Sequence, residues 1–452
     1  MKKLIIISSH EYVRNYFETG AFSGIEDDDC YYLADKNIRP SEVLEQNKNF
    51  IGYISVSPEN EKVYLWLFET YMWRYRNKSK AFYFRFYRQR IYYPKHTKYR
   101  RLKTIFAWLK SWKLFLSSNI LTHKITVSLL KSLISDNDDL ERIINEIQPS
   151  LIIFPNSAYD SLGYDILKIT EKNKVNTLFL IDNWDNLSSK TLFWKKPDYI
   201  GVWGQQSKEH AKTIQGFSEE KVKNIGTPRF QQYFDLSKEI IPSHFSFSYI
   251  LFCGSFLGFD ELSTLKRMDL FLEENNKKIG KYKLIYRPHP WRAPRECEDK
   301  FIESDFKNVI LDPQLKHDYY STSNKLKLFQ PKLNYYPALL KNAEFVVGPL
   351  TTMLIEALAC GTKVLALRYD DGIHVSSPHN AYKYYPHFKG IDVIKGLEFC
   401  DAKADLHKDC LKISNLEDVP ISDIHESLKY FIYHDDYNYC SRLKKLVDSC
   451  VQ

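Results

Sequence analysis

Phe345-Val346-Val347-Gly348-Pro349-Leu350-Thr351-Thr352-Met353-Leu354-Ile355-Glu356-Ala357-Leu358-Ala359-Cys360-Gly361-Thr362-Lys363-Val364-Leu365-Ala366-Leu367 decides the fold. It divides into strand, turn, helix, turn, strand. Phe345–Val347 is a short apolar run of buried-strand type, and Gly348-Pro349 ends it. Thr351 or Thr352 supplies an N-cap, good helix formers fill Met353–Cys360, and Gly361 signals the C-cap. Lys363–Leu367 then reads as the next parallel strand. Two threonine hydroxyls and open backbone N–H groups meet at the positive end of a helix dipole, a place that suits a phosphate. Glu356, one turn inside, can reach a ribose hydroxyl. The plainer reading is an ordinary βαβ unit whose threonines only cap a helix.

Outward from that unit the same rhythm recurs. Tyr249–Cys253 opens an alternation in the C-terminal half, and Gly254-Ser255 follows at the strand end, where open α/β sheets place ligands. Lys283–Tyr286 runs into Arg287-Pro288-His289-Pro290. The prolines hold that backbone extended and fix the direction of His289. Histidine can donate to a phosphate oxygen, and arginine can hold a diphosphate by two bonds. In the N-terminal half, strands are expected at Leu4–Ile7, Leu151–Phe154, Thr177–Ile181, Tyr199–Trp203 and Val222–Gly226. His10 lies just past the first of them. Asp182-Asn183-Trp184-Asp185-Asn186-Leu187-Ser188-Ser189-Lys190 is a dense polar cluster after the third, the usual location of catalytic groups. Pro242 and Ser243 mark a linker. The expected division is residues 1–240, then 247–436, then a closing helix in 437–452.

The totals bound the class. The 452 residues have room for two α/β domains, with 44% hydrophobic and 27% charged residues. The net charge of +8 is uneven. Trp73 to Lys131 holds sixteen Lys or Arg, and no Asp or Glu occurs between Glu69 and Asp136. Aromatic residues interleave throughout this insertion, 71–135. Such a segment suits an anionic membrane surface. It also matches single-stranded nucleic acid, but no nucleic-acid motif accompanies it, so the membrane is favoured. The eight cysteines form no Cys-x-x-Cys, which argues against a zinc or redox pair. Asp27-Asp28-Asp29 matches a short metal-binding pattern but reads as a solvated turn before a strand. Met1–Ile7 starts like a signal peptide, yet its apolar run stops after four residues and reads as a strand. No stretch has the 18 or so apolar residues of a spanning helix.

His289-Pro290 after one strand and Thr351-Thr352 opening a helix after a later strand resemble the GT-B glycosyltransferases of bacterial surface polysaccharides. Capsular sialyl- and polysialyltransferases, Kdo transferases and teichoic-acid glycerophosphotransferases share the arrangement. The resemblance implies two Rossmann-like domains across a cleft, with the donor nucleotide, commonly a cytidine nucleotide, on the C-terminal domain. Arg287, His289, Pro290, Gly254, Ser255, Thr351, Thr352 and Glu356 would then bind the nucleotide-sugar. Asp182, Asp185 or His10 would act on the acceptor, a lipid-linked or growing saccharide. No bound metal or other cofactor is expected. Asp370-Asp371-Gly372 follows His-Pro, whereas the acidic motif of sialyltransferases precedes it, so no role is transferred to it. The expected location is cytoplasmic, peripheral at the inner face of the membrane. Two other readings remain: a hydrolysing nucleotide-sugar 2-epimerase on a related scaffold, and a non-enzymatic single-strand nucleic-acid-binding protein.

Overall fold

The first strand shows how the sequence is sorted into layers. Lys3–Ile7 (β1) sends Leu4 and Ile6 into one apolar core and Ile5 and Ile7 into another. Successive side chains of a strand face opposite ways, so a continuous apolar run demands cover on both faces. The computed structural model describes residues 1–91, 100–156, 159–279, 281–289, 305–314 and 334–450. The strands after β1 in the N-terminal half are Cys30–Asp35 (β2), Phe50–Ile54 (β3), Leu151–Asn156 (β4), Asn176–Ile181 (β5), Tyr199–Val202 (β6) and Val222–Asn224 (β7). Among the described residues they form a seven-stranded parallel sheet in the order β3-β2-β1-β4-β5-β6-β7.

The C-terminal half repeats the plan. Its strands are Tyr249–Cys253 (β8), Lys283–Arg287 (β9), Val309–Leu311 (β10), Val346–Pro349 (β11), Val364–Leu367 (β12) and Leu397–Cys400 (β13). They form a parallel sheet in the order β10-β9-β8-β11-β12-β13. Each sheet reverses strand order beside its first strand, at β1/β4 and at β8/β11, the switch points where such sheets bind ligands.

The deciding stretch folds as strand, helix and strand, with β11, a Thr352–Ala359 helix that has Thr351 at its N-cap position, and β12. Gly361 adopts φ +85°. The strand continues through Gly348-Pro349, paired with Ala366 and Leu367 of β12. On its other side β11 pairs with β8 only at Val346 and Val347, so the missing N–H of Pro349 breaks no ladder there.

Two compact units result. One comprises Met1–Arg229, Tyr385–His387 and Tyr430–Gln452; the other comprises Phe230–Tyr384 and Phe388–Lys429. The chain divides at Arg229/Phe230 rather than in the Pro242-Ser243 linker, because the Pro228–Leu236 helix makes second-unit contacts. Tyr233 donates to Glu356 (3.1 Å), and Phe234 packs on His425. The C-terminal helix, Tyr439–Ser449, packs Leu443, Leu446 and Val447 into the first unit's core with Tyr16 and Phe22.

Candidate functional site

The second unit offers its switch-point edge. Gly348 is required there: a Cβ would stand 2.3 Å from the Cys253 carbonyl oxygen. Thr351 is extended (φ −149°, ψ 158°), and its hydroxyl makes no capping bond to the helix it opens. The first N–H groups of that helix therefore keep no side-chain cap. Next door, the backbone turns at Gly254, whose N–H donates to the Arg287 carbonyl (2.8 Å). A Cβ at Gly254 would meet Glu261 Oε2 at 2.7 Å and the His289 backbone nitrogen at 3.1 Å. Buried Glu261 organises this turn by accepting from the Ser255 N–H (3.1 Å) and from the Tyr286 hydroxyl (2.6 Å). His289 is half-buried, its ring 5.5 Å from that of Phe256. Thus Gly254, Ser255, His289, Thr351 and Thr352 all sit at the C-terminal ends of adjacent strands β9, β8 and β11.

Two of the expected donor residues are turned inward. Arg287 is buried, with Nε donating to the Tyr336 hydroxyl (3.1 Å) and its guanidinium over the Tyr336 ring. Glu356 is buried and accepts the Tyr233 hydroxyl. Pro290 lies outside the described residues.

The first unit offers the polar loop after β5. Asp182 is 1% exposed. Its Oδ1 accepts from Asn15 Nδ2 (3.3 Å) and its Oδ2 from Asn183 Nδ2 (3.1 Å). Burial, and then the Glu11 charge, raise its carboxyl to about 7, against the pull of Arg229, Asn15 and Arg14. A carboxyl at that value changes hands with a proton near neutrality, as a general base requires. Asp185 instead pairs with Lys190 Nζ (3.0 Å), and its other oxygen is buried without a hydrogen bond. Asn186, beside it, is fully buried with neither amide atom bonded. Trp184 is buried and packs edge-on against His387 at 5.0 Å. Burial lowers His387 to about 3, so it is a neutral wall of this pocket of polar groups. His10 starts a short turn, and burial lowers its pKa. Its neighbour Glu11 is the stronger influence on Asp182. Glu11, Asn15 and Arg229 were not singled out by sequence as partners of Asp182, because the fold brings Glu11 and Asn15 to it across more than 150 residues and Arg229 from two strands further on. A second set lies after β1 and β4: Ser8 Oγ donates to Asp160 (2.6 Å), whose carboxyl burial raises to about 6.

The basic-aromatic insertion splits in two. Its first half is largely core, with Tyr83 exposed. Trp73, Phe82 and Phe86 are buried with Phe68, Met72 and Leu114, and Phe84 is buried against Tyr385. These rings are not available to a membrane. Ser79, just before the Lys80–Ile91 helix, donates to the Ser188 carbonyl of the polar loop (2.5 Å). The second half is surface. The Arg100–Ser117 helix exposes Phe106 (67%), Trp108 (57%) and Trp112 (48%), and Ile120, Leu121, Ile125 and Leu129 after it are exposed as well. Among the described residues no helix is long and apolar enough to cross a membrane. The aspartate triplet is a paired surface turn: Asp27 binds Lys3, Asp28 binds Lys48 and Asp29 binds the N-terminus.

No family model matches the chain. No curated protein matches it either. Solved structures do. The UDP-GlcNAc 2-epimerase of Methanocaldococcus jannaschii aligns over 99% of this chain and 100% of its own, with a TM-score of 0.51 and 10% identity. The glycotransferase of kitacinnamycin aligns over 100% of this chain and 99% of its own, with a TM-score of 0.50 and 8% identity. At such identities the likeness is one of fold. Two doubly wound parallel α/β units in this order, matched end to end, give the chain the GT-B fold.

Proposed function

We propose that the protein is a nucleotide-sugar-dependent glycosyltransferase. It would move a sugar to a lipid-linked or growing surface polysaccharide, such as O-antigen or capsule, at the inner face of the cytoplasmic membrane. The observation that carries this reading is the switch-point edge of the second unit. There a hydroxyl pair, an uncapped helix N-terminus, a glycine turn and His289 converge where a phosphate would be held. These donors would stabilise charge growing on the leaving phosphate. Asp182 would take the proton of the acceptor hydroxyl as that oxygen bonds the sugar carbon and the bond from that carbon to the phosphate breaks. Arg287 and Glu356, being buried, would shape the donor site by holding Tyr336 and Tyr233 rather than by bonding the nucleotide.

The exposed apolar face around Phe106, Trp108 and Trp112, with Arg101 and Lys110 beside it and no acid in the helix, supports attachment to anionic lipid. Such attachment would keep the enzyme beside a lipid-linked acceptor. A hydrolysing 2-epimerase on this scaffold is the competing reading, since the fold is shared with one. Incubating the protein with UDP-, CMP- and GDP-sugars separates the two. Nucleotide release that depends on an added lipid-linked saccharide supports transfer. Equal release with no acceptor, with the sugar epimerised, would assign the epimerase instead.

A further inference from the structure

The loop after β12 holds a dyad that the nucleotide reading above does not use. The Asp371 side chain is 1% exposed, and its carboxylate receives four hydrogen bonds. Its Oδ1 accepts from the N–H groups of Ile373 (2.9 Å) and His374 (2.8 Å). Its Oδ2 accepts from the Asp260 N–H (2.9 Å) and lies 2.7 Å from His374 Nδ1. A carboxylate offers about four lone-pair sites, so Asp371 is saturated. It can only accept, so His374 Nδ1 carries the proton and Nε2 is the nitrogen left to a ligand. The imidazole is 20% exposed.

The loop after β8 is built around this ring. A Cβ at Gly258 would stand 2.8 Å from His374 Cδ2, so only glycine lets the loop lie against the imidazole. The Gly258 N–H donates to Ser376 Oγ (3.1 Å), which fastens the two loops together. The other end of the same loop, at Gly254 and Phe256, abuts His289. His289 follows β9, the Gly254–Gly258 loop follows β8, Thr351 follows β11 and His374 follows β12. These strands are consecutive in the sheet. A histidine kept for packing alone would be expected to bury both nitrogens against partners. Here one nitrogen is anchored, the tautomer is set, and the ring stays partly open on the edge that carries the phosphate donors.

We propose that Asp371 and His374 form a binding dyad in which His374 Nε2 contacts a phosphate oxygen of the bound nucleotide, with Asp371 as its positioning residue. The proposal rests on the nucleotide-sugar reading of this edge. Calorimetric titration with CMP, CDP, UDP, GDP and dTDP, and with the parent nucleosides, tests it on wild type, His374→Ala, His374→Gln, Asp371→Asn and His289→Ala. One hydrogen bond to a charged group is worth roughly tenfold in affinity. His374→Ala should therefore weaken the preferred nucleotide about tenfold, leave the nucleoside unchanged and melt like wild type. Asp371→Asn should lose less, because the ring remains but its anchor is weakened. His374→Gln should recover part of the loss by keeping a donor. Wild-type nucleotide affinity in His374→Ala, with loss in His289→Ala, would overturn the dyad and leave the nucleotide site standing. So would equal weakening of nucleoside and nucleotide. Absence of nucleotide binding in wild type would overturn the nucleotide reading and the dyad with it.

Discussion

The two candidate edges are built on the same sheet plan and by opposite means. On the second unit the candidate edge is made of backbone turns, hydroxyls and the half-buried His289, while its buried charges are tied to structural partners. Arg287 is held by Tyr336, and Glu261 by Tyr286 and Ser255. On the first unit the carboxyl of Asp182 is buried, with burial and then Glu11 raising it and Arg229 lowering it. The first arrangement suits holding an anion in place without net cost. The second suits moving a proton. The proposal places chemistry and binding on different halves, and each part of it can be broken separately.

The largest expected effect falls on Asp182. Asp182→Asn should lower turnover by about a hundredfold to ten-thousandfold, the usual range for a general base, and leave nucleotide affinity unchanged. Wild-type turnover should fall as pH drops below about 7, where the raised carboxyl gains its proton. Stability runs the other way. The folded chain keeps this proton up to about 7, while an unfolded aspartate has lost it by about 4. The group's stabilising share is full below about 4 and is lost as pH rises to 7. Asp182→Asn should therefore melt above wild type at pH 8, with the gap closing toward pH 4. A mutant that melts alike at both pH values, or turns over normally, would remove Asp182 from the chemistry.

The next effect tests the other half. His289→Ala should reduce turnover by more than tenfold through weakened donor binding, with melting unchanged, since the ring is only half-buried. If saturating nucleotide-sugar restores full rate, the histidine binds the ground state. If it does not, His289 acts mainly on the leaving phosphate. Normal rate and affinity would dissolve the contrast between the two edges.

The contrast also explains what was legible beforehand. The second-unit edge is written in adjacent residues: Gly348, Thr351 and Thr352 lie within one βαβ unit, and His289 directly follows a strand. Local signals for turn, cap and strand therefore located it. The orientation of Arg287 and Glu356 was not legible, because it depends on Tyr336 and Tyr233, tyrosines far off in sequence with no motif of their own. On the first unit Asp182 was legible as a polar residue ending a strand. Its electrostatic setting was not, because Asn15 and Arg229 reach it only through the folded sheet. The basic-aromatic insertion misled by composition. Basic and aromatic residues alternate through all of it, yet before Ile91 Trp73, Phe82, Phe84 and Phe86 are buried while Tyr83 is exposed, and the helix after Arg100 exposes Phe106, Trp108, Trp112 and Phe115.

That split predicts a smaller, separable effect. Trp112→Glu places a negative charge on the exposed face. Binding to phosphatidylglycerol-rich vesicles should fall roughly tenfold, from about 1 kcal/mol for the charge and the rest for lost apolar contact. Turnover on a soluble acceptor analogue should stay at the wild-type rate. Cosedimentation at low and high salt reads the first, and nucleotide release reads the second. Vesicle binding that ignores both the mutation and the salt would take the membrane role away from this helix.

Ser79→Ala probes the other half of the insertion and should have the smallest effect. Its hydroxyl supplies a bond to the Ser188 carbonyl in a buried setting. Removing it leaves that carbonyl short of a partner at a cost of about 1 kcal/mol. The Ser188 backbone belongs to the loop that also carries Asp182 and Asp185, so the loop should loosen slightly. Turnover should drop severalfold, melting should fall by a few degrees, and vesicle binding should not change. Trp112→Glu and Ser79→Ala would then move opposite observables from within one continuous basic segment. If Ser79→Ala weakens vesicle binding as well, the segment works as one piece, and the division drawn at Arg100 fails.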